Sequence, residues 1–402
     1  MPSTYFLAKS FERSAFLFLK IYSIRVVFIS NLFLSKKDFI HLSIIVVIAG
    51  ICFGVLGSIV TLLLQWFSLQ QSGTDSASKH GISARTSSRL GGLAVMVSML
   101  VFFAANYFEN STSSLNDLEN YGNHRFGIFA IMCCAAMGLA EDLKADLLSP
   151  TIRLALKFAL FAGIIFVWPD LVPDSIGFAG FDYLLSLPFV GAVVVIIFLV
   201  GFINAVNMAD GANGLIPGIA FFSVLLFYLQ RGWVVDESFM AACGVFLFFN
   251  VVTGRLFLGD AGTYGLGAAL AIYGMMFFNA GIFSLGFLAA LFAYPCVDFL
   301  VSILRRMMVG RSPFSPDNDH LHNRIHFFLR SRLRSQVASN SLTGLLISGS
   351  TSGLVVVGYV NEWWPASSNE WGYFFAFECF MYGFVFYLTG LARRSIQHSA
   401  AL

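Results

Sequence analysis

Long apolar segments recur along nearly the whole chain, and they limit its fold more than any other feature. A helix needs ~20 residues to cross the hydrocarbon core of a bilayer. Eleven segments have about that length: residues 43–67, 91–107, 124–140, 152–168, 183–203, 213–230, 238–253, 263–280, 282–304, 342–361 and 371–391. Only 11% of the 402 residues are charged, whereas soluble domains carry about 25%. The sequence therefore predicts an all-α polytopic membrane protein with eleven transmembrane helices.

The distribution of Lys and Arg predicts the orientation of these helices. Loops on one side would contain fifteen of the 24 basic residues, and the opposite loops only Arg125 and Arg231. We therefore expect the basic loops to be cytoplasmic, including a long loop at 305–341. The six cysteines lie within apolar segments without metal-ligand spacing, so we expect packed thiols rather than disulfides or a zinc site.

Residues 1–42 do not fit this orientation, because they would lie outside yet carry six Lys and Arg residues. Three interpretations stay open: a twelfth span at 15–34, an interfacial basic helix, or a translation start upstream of the true one. A span would bury Lys20 and Arg25, each at about 2.5–3.5 kcal/mol, which favours the second or third interpretation. We expect the integral membrane domain to comprise residues 43–402.

Two polar clusters follow apolar segments on the predicted cytoplasmic side. The first contains the adjacent carboxylates Glu141 and Asp142, which oppose the helix macrodipole unless a cation or a positive partner lies nearby. The second is a polar stripe repeated every three positions, with a glycine that permits close backbone approach: Asn204, Asn207, Asp210, Gly211 and Asn213. A solvated turn and a pair of helix caps are the respective alternatives.

Two further clusters lie later in the chain. A Gly-Asp-x-Gly turn opens a span, where Asp260 would either cap the helix or hold a metal. The basic loop contains His320 and His322 among Arg311 and Arg324. Paired imidazoles among arginines suit a diphosphate, and the alternative is a positive-inside anchor. No neighbouring Cys completes a zinc site.

Asp298 lies inside the ninth apolar segment, where an ionisable group is a functional candidate. We expect it to form a buried structural pair with a basic residue, and Lys157 is one candidate. A transporter would carry polar residues near the midplane on broken helices, often with an internal repeat. The clusters instead gather at one face, which favours an enzyme that joins a soluble substrate to a lipid head group by metal-assisted phosphoryl transfer.

In order and spacing, the four clusters resemble those of the polyprenyl-phosphate N-acetylhexosamine-1-phosphate transferase family, over residues 43–395. The resemblance implies that a UDP-activated amino sugar donates its sugar 1-phosphate to undecaprenyl phosphate, with release of UMP. It implies a bacterial inner membrane location, a cytoplasmic active site and a role in O-antigen, capsule or related lipopolysaccharide and cell-wall glycans. It also implies Mg²⁺, with Mn²⁺ as an alternative, and no nucleic acid; a homodimer stays open.

The resemblance also assigns roles to residues. Asp260 and Asp142 are expected to hold the metal, with Glu141 and Asp142 orienting or deprotonating the lipid phosphate. His320 and His322 are expected near the diphosphate and the sugar. The nucleotide pocket would be formed by Asn204, Asn207, Asp210, Gly211, Asn213, Asn250 and Phe257. Phosphates would be met by His80, Arg89, Arg311 and Arg324.

Several positions depart from the family pattern. Glu141 replaces an aspartate, so we expect Asp142 to be the essential carboxylate of that pair. Asn213 is often Asp in the family, Ser88 stands where Pro is usual, and Asn323 stands where a third histidine is common. His-Leu-His-Asn does not match the His run of muramoyl-pentapeptide enzymes, so we expect the O-antigen or capsule branch rather than lipid I synthesis.

Overall fold

The computed structural model describes residues 74–75, 87–88, 91–97, 99, 118–144, 147–187, 189–231, 234–254, 256–312 and 317–400. Strands β1 (Thr74–Asp75) and β2 (Ser87–Ser88) pair antiparallel. Residues 91–97 are helical. The numbered helices are α1 (Leu118–Leu143), α2 (Pro150–Val167), α3 (Ala179–Ser186), α4 (Val190–Ala209), α5 (Leu215–Arg231), α6 (Val234–Thr253), α7 (Gly259–Asn279), α8 (Leu285–Leu291), α9 (Ala293–Met308), α10 (Leu321–Arg330), α11 (Gln336–Ser348), α12 (Leu354–Val360) and α13 (Trp371–Ala400). A 3-10 turn (Pro169–Leu171) follows α2, and a π-helical turn (Gly349–Gly353) joins α11 to α12.

Six helical stretches in the described part are long and apolar enough to cross a membrane: Arg125–Leu143, Pro150–Val167, Val190–Ala209, Gly259–Asn279, Gln336–Val360 and Trp371–Leu391. The bent pair of α8 and α9 is a seventh candidate, and α5 and α6 are shorter apolar helices. The chain is a multi-pass membrane protein. Each predicted segment from 124–140 onward coincides with one of these elements, but only six or seven described elements, not eleven, meet the criteria for a span.

Several predicted segments lie outside the described residues or differ from the structure in their bounds. Segment 43–67, most of 91–107 and residues 1–42 lie outside the described residues. The segment predicted at 183–203 is wrong at its start, because α3 is a separate short helix and α4 begins at Val190. Phe189, which precedes α4, has a left-handed backbone with φ 64°.

The span predicted at 282–304 is also not continuous, because α8 and α9 meet at an angle of 79°. Pro295 has no backbone N–H, so the carbonyl of Leu291, four residues earlier, lacks its helical donor. The hydroxyl of Ser352, from the π-helical turn, donates to that carbonyl at 2.6 Å. Since lipid cannot satisfy a backbone carbonyl, this contact allows the bend to lie inside the bundle.

Helix α7 is the most buried of the candidate spans, with 89% of its most apolar stretch buried inside the protein. It packs against α1 and α4. Gly138 of α1 lies so close to the backbone of Asp260 that a Cβ atom there would overlap it, an approach that only small residues permit. This packing places the first turn of α7 beside the end of α1, where Glu141 and Asp142 lie.

The cysteines behave as expected for packed thiols. Cys133, Cys134, Cys243, Cys296 and Cys379 are not in disulfides, and each is buried or half-buried. Cys52 lies outside the described residues.

Candidate active site

The first contact of the site joins α1 to the start of α7. The Asp142 carboxylate accepts hydrogen bonds from the backbone N–H groups of Asp260 at 2.9 Å and Ala261 at 2.8 Å. The N-cap residue of α7, Leu258, has no side chain that can do this, and the first amides of a helix lack internal partners. Asp142 is only 7% exposed. The cap of α7 is therefore Asp142 from another helix, not Asp260.

Arg153, in the first turn of α2, lies between two of the predicted carboxylates. Its Nη1 atom is 3.8 Å from Oε1 of Glu141 and 3.5 Å from Oδ2 of Asp260. This positive partner offsets the unfavourable position of acidic groups at the end of α1. Sequence reasoning did not include Arg153 in the site, although it lies only eleven residues after Asp142 in the chain.

The polar stripe of α4 contacts α2 and α7. Oδ1 of Asn204 accepts a hydrogen bond from Nζ of Lys157 at 2.6 Å, and the ammonium lies 4.0 Å from the centre of the Tyr264 ring. Asn207 accepts from the Thr263 hydroxyl at 2.5 Å. Lys157 is 1% exposed. The stripe therefore holds a buried cation about two helical turns from the start of α2, and it is linked directly to the N-terminal part of α7.

Asp210 follows the last residue of α4 and lies near the other carboxylates. Burial, and then the negative charges of Asp260 and Asp142, raise the pKa of Asp210 to about 7. The three carboxylates therefore repel one another. A divalent cation would reverse this repulsion.

The donor set fits one type of magnesium site. Among the described residues, no group of three or more His, Cys, Asp and Glu side chains is arranged to hold a metal ion. Mg²⁺ often takes one or two protein carboxylates and completes its octahedron with water and substrate phosphates. Asp260 and Asp210 fit that pattern. Asp142 fits it less well, because each of its oxygens already accepts an amide N–H.

Two asparagines predicted for the nucleotide pocket bind backbone and side chains of the protein instead. Asn250 accepts from the N–H of Gly214 at 2.6 Å and donates to the carbonyl of Leu256 at 2.7 Å. Asn213 donates to the Ser341 hydroxyl at 3.3 Å. Both asparagines are buried, and they hold the loops that frame the site. The structure thus gives Asn213 and Asn250 a supporting position rather than a surface for the base.

Phe257 lies in the loop that precedes α7, and its side chain is half-buried. This loop is held by backbone hydrogen bonds from Gly91 to Phe257 at 3.1 Å and from Gly92 to Leu258 at 3.0 Å. These bonds hold the backbone of Phe257 three residues before Asp260. The predicted phosphate-binding residues His80 and Arg89 lie outside the described residues.

Asp298 forms the expected buried pair with a basic residue, but its partner is His320 and not the candidate Lys157. The Asp298 carboxylate, 1% exposed, is 2.6 Å from Nδ1 of His320. It also accepts from the backbone N–H of Leu321 at 3.2 Å and from the Tyr382 hydroxyl at 2.8 Å. Asp298 of α9 thus caps α10, as Asp142 of α1 caps α7.

His322 packs against the turn that follows α4. A Cβ atom at Gly211 would overlap the imidazole ring of His322, so the glycine is required for this approach. Nδ1 of His322 is 2.9 Å from the Tyr294 hydroxyl. Burial is the main cause that lowers the pKa of His322 to about 4, and the Asp298 charge opposes it. His322 is therefore neutral at physiological pH.

Arg324, predicted to meet phosphate, is bound within the protein. It forms two hydrogen bonds with the Asp319 carboxylate, at 2.8 and 2.7 Å, and donates to the carbonyl of Phe386 at 2.9 Å. Its guanidinium lies 3.5 Å from the centre of the Phe386 ring. Arg324 therefore fastens the loop to α13. Arg311 is exposed.

Asp317 and Asp319 hold the same loop to the end of α9. Asp317 pairs with Arg305 and accepts from Ser302. Burial raises the pKa of Asp317, but hydrogen bonds from Arg305, the Asp319 backbone and Ser302 outweigh it and hold the pKa well below its usual range. Hydrogen bonds from Arg324 likewise lower the pKa of Asp319.

The four sequence clusters thus meet through direct contacts. Asp142 binds the amides at the start of α7, Asn207 binds Thr263, and Gly211 packs on His322. Sequence reasoning missed Arg153 and Tyr294, and it named Asp298 without identifying His320 as its partner. One signal was available: four polar residues at intervals of four on the same face of α9, namely Tyr294, Asp298, Ser302 and Arg306.

Comparisons with known proteins agree with the motifs. Residues 125–278 match the sequence model described as "Glycosyl transferase family 4". An undecaprenyl-phosphate alpha-N-acetylglucosaminyl 1-phosphate transferase of Thermotoga maritima is 34% identical over 135 residues, which cover 34% of this chain and 42% of the relative. A Bacillus subtilis protein named "Probable undecaprenyl-phosphate N-acetylglucosaminyl 1-phosphate transferase" is 23% identical over 301 residues, covering 72% and 79%. A phospho-N-acetylmuramoyl-pentapeptide-transferase of Lactobacillus johnsonii is 28% identical over 157 residues, covering 35% and 49%.

The chain thus spans less than half the length of two of these relatives and about four-fifths of the third. The matched region, 125–278, contains three of the four polar clusters and nearly all of α1 to α7. Through this region the chain is similar to glycosyl transferase family 4, in agreement with the resemblance of its motifs.

Proposed function

We propose that this protein transfers an amino-sugar 1-phosphate from a UDP-sugar to undecaprenyl phosphate and releases UMP. The observation that carries the proposal is the meeting of the acidic clusters with Arg153 and Lys157 at the start of α7. Carboxylates beside buried cations suit a reaction that handles phosphates and a metal ion, where catalysis is mainly positioning and charge neutralisation. The names of the relatives support the same acceptor, undecaprenyl phosphate, and the same kind of transferred group, an amino-sugar 1-phosphate.

In this reaction an oxygen of the lipid phosphate attacks the phosphorus that carries the sugar. A new P–O bond forms, and the bond from that phosphorus to the bridging oxygen breaks, so that the bridging oxygen leaves with UMP. Mg²⁺, with Mn²⁺ as an alternative, would neutralise phosphate charge. Asp260 and Asp210 would hold it, and Asp142 would keep the start of α7 in place.

Other residues of the chain would bind and orient the substrates. Arg153 and Lys157 supply positive charge beside the acidic cluster. The half-buried ring of Phe257 would stack on the uracil. Because His322 packs on Gly211 beside Asp210, the histidine pair would face the diphosphate and the sugar.

We also propose a bacterial inner membrane location with the site facing the cytoplasm, because the basic loops lie on that side. A Ser312→Cys variant tests this, since Ser312 is exposed next to Arg311. A membrane-impermeant maleimide should label it in inverted vesicles and not in intact spheroplasts. Labelling only in spheroplasts would reverse the orientation.

The activity is tested with purified protein, undecaprenyl phosphate, Mg²⁺ and a panel of UDP-sugars that includes UDP-GlcNAc, deoxy-amino variants and UDP-MurNAc-pentapeptide. UMP release and the mass of the lipid product are measured. We expect turnover with an N-acetylated amino sugar for O-antigen or capsule synthesis. Turnover of UDP-MurNAc-pentapeptide alone would favour lipid I synthesis, and no product with any donor would contradict the proposal.

The Asp260→Asn variant should lower UMP release by about 1,000-fold or more, since a metal supplies several kcal/mol of charge stabilisation. Asp182→Asn is a matched control, because the Asp182 carboxylate accepts hydrogen bonds from Ser175 and Ile176 in the loop before α3. Activity of Asp260→Asn within tenfold of the wild type would exclude Asp260 as a metal ligand.

A further inference from the structure

The two histidines of the basic loop form a parallel stacked pair. The ring centroids of His320 and His322 are 5.3 Å apart, and their planes differ by 7°. Each ring meets a different partner through Nδ1: a carboxylate for His320 and a tyrosine hydroxyl for His322. Because a carboxylate only accepts and a hydroxyl also donates, the two partners have different effects on the rings.

The Asp298 carboxylate determines the proton position on His320. Its Oδ1 accepts from the Leu321 amide and the Tyr382 hydroxyl, and its Oδ2 lies 2.6 Å from Nδ1 of His320. A carboxylate at that distance requires a proton on Nδ1. In the neutral ring, Nε2 is then the acceptor.

Tyr294 has the opposite effect on His322. The Tyr294 hydroxyl accepts from the backbone N–H of His322 at 3.1 Å and lies 2.9 Å from Nδ1 of the same residue. A hydroxyl has one proton, and Nδ1 of His322 accepts it in one of the two neutral tautomers. The neutral ring of His322 then carries its own proton on Nε2, the atom that lies against Gly211.

We propose that Asp298 and Tyr294 are positioning residues that hold the stacked histidines in opposite tautomers, so that His320 presents an acceptor and His322 a donor to the substrate. Resting on the proposed function, Nε2–H of His322 donates to a phosphate oxygen beside the turn of Gly211. Nε2 of His320 accepts from a hydroxyl of the substrate. A stacked pair thus provides both an acceptor and a donor.

The first experiment measures the tautomers directly and does not depend on activity. The protein is labelled with ¹⁵N-histidine, placed in lipid nanodiscs at pH 7.5, and its imidazole nitrogens are observed by NMR. The protein has seven histidines, and the signals of these two are assigned by comparison with the His320→Gln and His322→Gln variants. We expect a proton on Nδ1 of His320 and on Nε2 of His322. The same tautomer at both positions would overturn the proposal.

The Asp298→Asn variant tests the cause. Since Oδ1 receives two donors, the amide oxygen should take that position and leave the NH₂ group facing Nδ1 of His320. The His320 proton should therefore move to Nε2. An unchanged His320 tautomer would overturn the role of Asp298. If this variant does not fold, the Tyr294→Phe variant is used instead. It removes the hydroxyl that meets Nδ1 of His322, so His322 alone should lose its preference for a proton on Nε2.

Kinetics supply a second readout that a purely structural role would not produce. A reversed tautomer in otherwise intact geometry lowers kcat strongly, so Asp298→Asn should lower kcat by about 100-fold or more. The KM for the UDP-sugar should change less than about threefold, because Asp298 is not exposed to substrate. Tyr359→Phe, which removes a hydroxyl bonded to Gln230, should match the wild type.

A near-normal kcat for Asp298→Asn would overturn the proposal even if the variant is well folded. If the wild-type protein releases no UMP with any donor, the proposed function fails, and the NMR experiment still decides the tautomers. The two failures are therefore distinguishable.

Discussion

Replacement of Asp142 by Ala should destabilise the fold as well as remove activity. The Asp142 carboxylate satisfies two amides at the start of α7, at 2.9 and 2.8 Å, in a position that is 7% exposed. Each buried amide left without an acceptor costs about 1–3 kcal/mol. The Asp142→Ala variant should therefore lose about 2–5 kcal/mol of unfolding free energy, allowing for partial access of water.

The expected shift in melting temperature follows from the length of the chain. Unfolding entropy is about 2.1 cal/mol/K per residue, or about 0.8 kcal/mol/K for 402 residues. The Tm of Asp142→Ala in detergent micelles should thus fall by about 2–6 °C. The unfolding transition can be followed by intrinsic tryptophan fluorescence.

Asp260→Ala is the matched control for this experiment. It removes a carboxylate from the same turn of α7, but leaves both backbone amides bonded to Asp142. Its ion pair with Arg153, at 3.5 Å and partly exposed, contributes only about 0–1 kcal/mol. Both variants should lose UMP release, and only Asp142→Ala should lose stability. Equal melting temperatures, within about 1 °C, would refute the assignment of Asp142 as the cap of α7.

Three other variants address separate parts of the molecule. Phe257→Ala should raise the KM for the UDP-sugar about tenfold, since stacking on a base contributes about 1–3 kcal/mol; an effect confined to the lipid substrate would contradict the uracil contact. Ser352→Ala should lower the unfolding free energy by about 1–3 kcal/mol, because it leaves the Leu291 carbonyl without a donor; an unchanged Tm would show that the bend does not need this hydroxyl. Although burial raises the pKa of Asp317, hydrogen bonds led by that of Arg305 lower it overall, so its contribution to stability is complete above about pH 4 and is lost as the pH falls through the folded-state pKa. The stability of Asp317→Asn should therefore vary less than that of the wild type below about pH 4, and parallel acid-unfolding curves would contradict this.

The amino-acid sequence alone indicated the class of fold and the residue types of the site. Apolar segments of bilayer length predict membrane helices regardless of which other helices they pack against. The reason is that backbone N–H and C=O groups within the bilayer core must be hydrogen-bonded inside the protein, as they are in a helix. The acidic and histidine clusters could be recognised for a related reason. Burying polar or charged side chains costs free energy unless they form hydrogen bonds or ion pairs, so such clusters beside apolar helices indicate a site.

The sequence could not assign partners between clusters. Asp142 and Asp260 are both acidic residues near the end of an apolar helix, and the sequence allows either of them to hold a metal. Only the approach of α1 to α7 through Gly138 shows that Asp142 caps the helix. Likewise, a proline in the ninth segment does not by itself reveal which group compensates for the bend. In the structure the Ser352 hydroxyl does so by donating a hydrogen bond to the Leu291 carbonyl.

What the sequence determined by itself is the class of multi-pass helical membrane protein and the inventory of acids, amides and histidines near the helix ends, because hydropathy and helical periodicity are local properties. What only the tertiary structure decided is which of these groups face one another: Asp298 with His320 rather than Lys157, Arg324 with Asp319, and Asn250 with two loops. The physical reason is that hydrogen bonds and ion pairs act over about 3–4 Å, and helix packing alone brings residues far apart in the chain to that distance.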